Sequence, residues 1–353
     1  MSLQCGLVGL PNAGKSTLFN ALTSLQVPAE KYPFCTVDPN VGVVNLEDSR
    51  LVEAAAAAGC TRITPAWIRF VDIAGLVEGA SRGEGLGNRF LGHIREMDAL
   101  IHVVRAFDVE DVAHPLGRTD PLKDIELVQA ELLLADLETV ERQMEKTGKR
   151  AKGGERADQE EQALLEEIRG SLLRGIPAPL RGGQAFNLLS CKPRLYVLNV
   201  DEEGLTAPWE EEACFAAREG APLLVLAASL EEELTRPPPG ERQELRQAYG
   251  MGEEVLTKLV GEAYRLLNMI TFFTVKGEEA KAWTVKAGTR ARQGAGKVHS
   301  DMEKGFIKAE VIGWQGLVEA GSLGRARETG MVRIEGRDYL LQDGDVVLFH
   351  FRV

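Results

Sequence analysis

The 353-residue sequence predicts an α/β fold: a doubly wound, mostly parallel sheet, interrupted by an antiparallel pair of helices and followed by a smaller β-rich module. Three observations lead there. An apolar run, Leu3 to Leu10, passes through a glycine-bearing turn into a helix-like stretch, Ser16 to Leu25. Further buried-strand patterns follow at Trp67 to Val71, Ala99 to Ala106, Arg194 to Val200 and Leu223 to Ser229. Second, the apolar residues Ala130, Leu133, Leu137, Val140 and Met144 recur at helical spacing, as do Leu164, Leu165, Ile168 and Leu172 after a break, which makes two amphipathic helices that pair as a hairpin. Third, short alternating strands begin at Thr271, clearest at Thr271 to Val275, Ala282 to Val285 and Asp345 to Phe351. Glycine turns and a helix candidate, Ala291 to Val298, join them, which suits a β-grasp domain.

The first turn carries the chemistry. Residues 9–16 read Gly-Leu-Pro-Asn-Ala-Gly-Lys-Ser, a match to G-x-x-x-x-G-K-[ST] in the strand, loop and helix setting that the motif requires. A polyphosphate must be met by several backbone N–H groups at once, and glycines such as Gly9 and Gly14 let the chain curl that closely. The helix N-terminus adds partial positive charge. Asn12, Ala13, Gly14, Lys15, Ser16 and Thr17 are therefore the phosphate-holding candidates. Lys15 reaches the β and γ phosphates and Ser16 offers a hydroxyl to a Mg2+ ion. Asn12 is either a ligand for a monovalent cation such as K+ or a loop-shaping residue.

The parts of a nucleotide switch follow in order. Val71-Asp72-Ile73-Ala74-Gly75 ends a strand, so Asp72 can hold the metal through water, and Gly75 offers an N–H to a γ phosphate. Thr36, in Pro33-Phe34-Cys35-Thr36, is the second hydroxyl candidate for the metal. Leu76 stands where many switch GTPases carry a water-orienting glutamine, which leucine cannot replace. His114, in the polar loop Asp108 to Asp120, is the candidate to polarise the water, since an unperturbed imidazole titrates at about 6.5; the alternative is an exposed bystander. His102 lies within an apolar strand and reads as a buried histidine.

The strand Arg194 to Val200 runs into Asn199-Val200-Asp201-Glu202, where a GTP-binding protein shows Asn-Lys-x-Asp. Val200 removes the lysine, and Glu202 is a methylene too long for the paired acceptor that identifies guanine. A site built to hydrogen-bond one substrate rejects a partner lacking that group by roughly 10^4-fold, so the altered tetrad favours adenine, with Asn199, Val200 and Glu202 as the candidates to hold the base. A variant guanine site served by Asp201 or Glu202 is the alternative, and Asp201 has no assigned role.

The phosphate loop, Pro33-Phe34-Cys35-Thr36, Asp72-Ile73-Ala74-Gly75-Leu76-Val77, Gly83-Glu84-Gly85-Leu86-Gly87-Asn88 and Ala282-Trp283-Thr284-Val285 together resemble the YchF family of Obg-like P-loop NTPases, over essentially the whole chain. The resemblance implies a translation-factor-class protein that prefers ATP, associates with ribosomes, and carries a helical hairpin inserted into its nucleotide domain and a C-terminal TGS domain. The expected division is 1–122 and 186–270 for the nucleotide domain, 123–185 for the hairpin and 271–353 for the TGS domain.

Composition fits such a protein. Hydrophobic residues make up 44% and charged residues 27%, and the five cysteines show no C-x-x-C pair, so neither a disulfide framework nor a zinc site is indicated. No charged-then-apolar leader precedes Leu3, and the longest apolar tracts fall short of the ~20 residues of a membrane span, which predicts a cytoplasmic protein without a membrane partner. A net charge of −12 argues against nonspecific nucleic-acid binding by the whole surface. The hairpin break carries Lys149, Arg150, Lys152 and Arg156, a cationic tip for phosphate contacts to rRNA or a merely solvated loop. Lys286, Arg290, Arg292, Lys297, Lys304 and Lys308 give the last module a partly basic surface, open to the same two readings. The expectation is a Mg2+-dependent ATPase whose nucleotide state alters its contact with the ribosome. The alternatives are a GTP switch in ribosome assembly and an RNA- or ribosome-binding adaptor with structural ATP.

Overall fold

A computed structural model describes residues 4–24, 40–73, 86–109, 112–151, 156–178, 180–249, 251 and 254–352. The chain divides into two compact units, residues 1–43 with 69–263 and residues 44–68 with 264–353. In chain order the elements begin β1 (Gln4–Val8), α1 (Lys15–Ser24), β2 (Val41–Leu46), α2 (Ser49–Ala58), β3 (Arg62–Thr64), β4 (Ala66–Asp72), α3 (Leu86–Glu96) and β5 (Ala99–Ala106). The paired helices α4 (Pro121–Ala151) and α5 (Arg156–Leu173) follow, then α6 (Leu180–Ala185), β6 (Arg194–Val200), α7 (Glu210–Arg218), β7 (Leu223–Leu226), α8 (Ala228–Leu234), α9 (Pro239–Ala248) and α10 (Val255–Leu266).

The first sheet has the order β2-β4-β1-β5-β6-β7. Its pairings from β4 through β7 are all parallel, so every one of these strands delivers its carboxyl end to the same edge. Leu7 lies opposite Asp72 and Arg105 opposite Asn199. Parallel strands buried on both faces read as continuous apolar runs, and β5 is buried at every position, His102 and Arg105 included. On one face, α3 and α4 cover Val8, Leu10, Ile73 and Leu100.

The depth of His102 has a measurable consequence. Burial, reinforced by the nearby Arg194 and Lys15 cations, lowers its pKa from 6.5 to about 3. A base whose folded pKa is depressed contributes stability that is complete above 6.5 and is lost as pH falls toward the folded value. Urea titrations should show about 1–2 kcal/mol of this loss between pH 6.5 and pH 5. His102→Leu should flatten that part of the profile; an unchanged slope would contradict the neutral, buried imidazole.

The helices α4 and α5 form the expected antiparallel hairpin, longer than the periodicity alone marks. Val140, Leu165, Ile168 and Leu172 are buried between them, with Leu133, Leu137 and Met144 packed alongside. At its base the fully buried Asp136 accepts hydrogen bonds from Leu189 N–H at 2.7 Å, Ser190 N–H at 2.8 Å and Ser190 Oγ at 2.6 Å.

The second unit is completed by β8 (Met269–Lys276), β9 (Glu279–Lys286), α11 (Ala291–Val298), α12 (Ser300–Lys304), β10 (Phe306–Gly313), α13 (Trp314–Ala320), α14 (Leu323–Glu328), β11 (Arg333–Glu335) and β12 (Asp345–Phe351). Its sheet has the order β11-β10-β12-β8-β9-β3. The β8/β9 hairpin is antiparallel, β12 runs parallel to β8, and α11 packs Ala291 and Ala295 against Phe272, Val311 and Phe349, the β-grasp arrangement. The stretch 44–68 belongs here rather than with the chain-order neighbours expected for it. β3 pairs in parallel with β9, Thr64 Oγ1 donates to Glu279 at 2.8 Å, and the small residues Ala54 and Ala55 of α2 pack with Leu51 against Phe273 and Ile312. A strand this short and a helix this rich in alanine bury too little surface to stand without that second sheet. Among the described residues no helix is long and apolar enough to cross a membrane.

Candidate nucleotide site

The phosphate loop is shaped by two close approaches. Gly9 has φ +151°, and a Cβ there would stand 2.2 Å from the Val103 carbonyl oxygen; at Gly14, with φ +89°, it would stand 2.0 Å from Asn199 Nδ2. Only glycine fits both the backbone angle and the space. Asn199 is the clamp: its Nδ2 donates to the Ala13 carbonyl at 3.0 Å while its Oδ1 accepts the Ala228 N–H at 2.9 Å. One buried amide thereby ties the phosphate loop at the end of β1 to β6 and to the start of α8.

Lys15 begins α1, is 7% exposed, and donates through Nζ to the Leu10 carbonyl at 2.8 Å. Burial lowers its pKa, against the raising effect of Asp72. Ser16 Oγ donates to Asp72 Oδ2 at 2.7 Å. The other oxygen, Asp72 Oδ1, is buried with no hydrogen-bond partner among the described residues. A hydroxyl beside a carboxylate with a spare buried oxygen is the hard, anionic donor set that Mg2+ and its waters prefer. Thr17 is half-buried on the same turn. Asn12 adopts the left-handed conformation with φ +61°, and its Nδ2 donates to the Ala113 carbonyl at 3.0 Å. The expected contributions of Thr36 and Gly75 lie outside the described residues.

Four positions of the expected base and water sites find their surroundings here. Val200 is 2% exposed and packs with Val104, Ala106, Tyr196 and Leu198 in the core, so its side chain cannot line a base. Asp201 Oδ1 accepts the Gly204 N–H at 2.9 Å and so caps the turn at Glu203–Thr206. Glu202 is exposed and its side chain makes no capping bond. His114 is buried rather than an exposed bystander: Nε2 meets Asp124 Oδ2 at 2.7 Å and Nδ1 accepts the Leu116 N–H at 3.1 Å.

Sequence reasoning passed over Arg105. It is 2% exposed on the same face of the sheet as Asn199, donates from Nε to the Phe107 carbonyl at 3.1 Å, and stacks over the Phe107 ring at 4.6 Å. An arginine in a strand whose other residues, His102 apart, are apolar was the available signal. The hairpin tip is less cationic than its lysines and arginines suggest. Arg150 pairs with Glu161 at 3.1 Å and Asp158 at 3.5 Å, and Arg156 with Glu160 at 2.9 Å. The side chains of Lys149 and Lys152 lie outside the described residues.

Comparison with known proteins agrees with this geometry. A family model described as 50S ribosome-binding GTPase matches residues 4–147, and the YchF-GTPase_C model, described as a protein of unknown function, matches 269–352. The ribosome-binding ATPase YchF of Haemophilus influenzae is 44% identical, and its Bacillus subtilis counterpart 41%, each over 100% of both chains. A solved structure of the YchF GTPase from Schizosaccharomyces pombe is 33% identical, covers 99% of this chain and 98% of its own, and superposes with a TM-score of 0.87. With full-length identity to curated relatives, family models at both ends and the same fold throughout, the chain belongs to the YchF family.

Proposed function

We propose that the protein is a Mg2+-dependent ATPase that hydrolyses ATP to ADP and phosphate and binds the ribosome, acting in the cytoplasm as a nucleotide-state switch in translation or its regulation. The observation that carries the reading is the Ser16–Asp72 contact beside Lys15, with a buried carboxylate oxygen left over. Asn12 to Thr17 would hold the phosphates, Ser16, Thr36 and Asp72 would hold the metal and its waters, and Gly75 would offer its N–H to the γ phosphate. A divalent ion held by these residues would supply positive charge against the negative charge that develops on the phosphates during transfer. Asn12 Oδ1 is the atom available to a K+ ion. His114 serves as the base for the attacking water.

The choice of ATP follows from the base end of the site. Asp201 is occupied in capping its turn, Val200 points into the core, and Glu202 alone offers a carboxylate, set at the wrong reach for guanine. Asn199 holds the loop at 227–228, whose backbone can meet the adenine amine. The ribosome enters through the named activity of the bacterial relatives, with the hairpin tip and the TGS-like C-terminal unit as the contacting parts. A GTP-hydrolysing alternative is favoured by the name of the Schizosaccharomyces pombe relative. Equilibrium titration with fluorescent ATP and GTP analogues separates the two. ATP should bind at least about tenfold more tightly, and Glu202→Asp should narrow the gap. GTP bound more tightly, or neither nucleotide bound, would overturn the reading.

A further inference from the structure

The surroundings of His114 settle which of its nitrogens carries the proton. A backbone N–H can only donate, so Nδ1, which accepts from Leu116, must hold a lone pair; the single ring proton sits on Nε2 and is donated to Asp124. Both side chains are buried, at 4% and 3% exposure. Asp124 Oδ1 is buried and unpartnered among the described residues, so the contact with the ring is what offsets the burial of this carboxylate. Asp124 stands in the first turn of α4, while the carbonyl of Ala113, next to His114, receives the Asn12 side chain of the phosphate loop. A continuous series of contacts thus runs from the phosphate loop through residues 113–116 to the base of the hairpin.

We propose that Asp124 is a positioning residue for hydrolysis, holding His114 in the Nε2–H tautomer with Nδ1 as the base and tying that tautomer to the first turn of the hairpin helix. The inference rests on the reading of His114 as the base. In the step, the water oxygen bonds to the γ phosphorus and its proton passes to Nδ1. The bond from phosphorus to the bridging oxygen breaks with its electron pair left on ADP, and the proton then returns to the phosphate product. As the ring gains its proton it becomes a cation, which the facing Asp124 carboxylate stabilises. Nδ1 is free only once the Leu116 N–H lets go, so the arrangement seen is a latent base, and a movement of the first turn of α4 is a direct way to release it.

Steady-state ATP hydrolysis by the full chain tests this with His114→Ala, Asp124→Ala and the double variant, alongside 15N spectra of the wild-type histidines. His114→Ala should lower kcat by about 10^2-fold and Asp124→Ala by about 30-fold, with KM for ATP within about twofold in both. The double variant should be no slower than His114→Ala alone, since the two residues act as one unit. The wild-type spectrum should show His114 protonated at Nε2 and bare at Nδ1. Full activity in Asp124→Ala beside a crippled His114→Ala, additive losses in the double variant, or a ring protonated at Nδ1 would each overturn the positioning role while leaving the base standing. Undiminished activity in His114→Ala would remove the base, and this inference with it.

Discussion

Lys15→Ala should lower ATP turnover by about 10^3-fold, on the order of 4 kcal/mol of transition-state stabilisation, while leaving the fold as stable as before or slightly more so. The two halves of this expectation come from the same burial. An ammonium 7% exposed at the mouth of the phosphate loop has lost most of its water, and its pKa is accordingly lowered. Among the described residues it donates to one carbonyl and lies in the field of Asp72. Such a group is held at the expense of stability. A triphosphate repays it by supplying oxygens where charge develops, which a neutral methyl cannot meet. Thermal melts of the two forms without nucleotide should therefore coincide, or favour the variant, and only the wild type should gain a large upward shift when Mg2+ and ATP are added. Turnover within a few-fold of wild type would rule out the phosphate-loop site as the place of hydrolysis.

The sequence made the phosphate loop, the parallel sheet and the hairpin legible because each is imposed by a local requirement. Gly9 and Gly14 are the only residue type that their backbone angles and neighbours admit. The strands at 99–106 and 194–200 must be apolar on both faces, and Val140, Leu165 and Ile168 must fall on facing sides of two helices. What stayed hidden depends on partners distant in sequence. Arg62 and Ile63 are exposed and lack the alternation of a half-buried strand, so nothing local reveals that they border Glu279 and Ala280. A carboxylate just after a strand can read a base or cap a turn, and only the 2.9 Å contact with the Gly204 N–H assigns Asp201 to the second. Counting lysines and arginines at the hairpin tip likewise overlooks Glu160 and Glu161, which take up the charges of Arg156 and Arg150. For His114 the sequence offered a titratable ring in a polar loop; the tautomer came from Leu116 and Asp124, and through Asp124 the connection to the hairpin.

The largest loss of stability is expected at the base of that hairpin. Asp136 is fully buried, and its two oxygens accept three hydrogen bonds, from the backbone N–H groups of Leu189 and Ser190 and from the Ser190 hydroxyl. Asp136→Ala leaves these donors facing a cavity in the protein interior. An orphaned buried donor costs about 1–3 kcal/mol, and some of the three will find water as the site relaxes, so about 3–5 kcal/mol is expected by chemical denaturation. Asp136→Asn should fall between the two, because its single carbonyl oxygen can keep one or two of the donors while its amide N–H groups oppose the rest. Arg156→Ala is the control: its ion pair with Glu160 joins side chains 92% and 67% exposed and should contribute next to nothing. The location makes the contrast informative. Asp136 joins the ascending helix of the hairpin to the segment that leads into β6 and so to Asn199, the residue that clamps the phosphate loop. If Asp136→Ala unfolds within about 1 kcal/mol of wild type, the carboxylate does not anchor the hairpin base, and the rigid connection from hairpin to phosphate loop through β6 has to be given up.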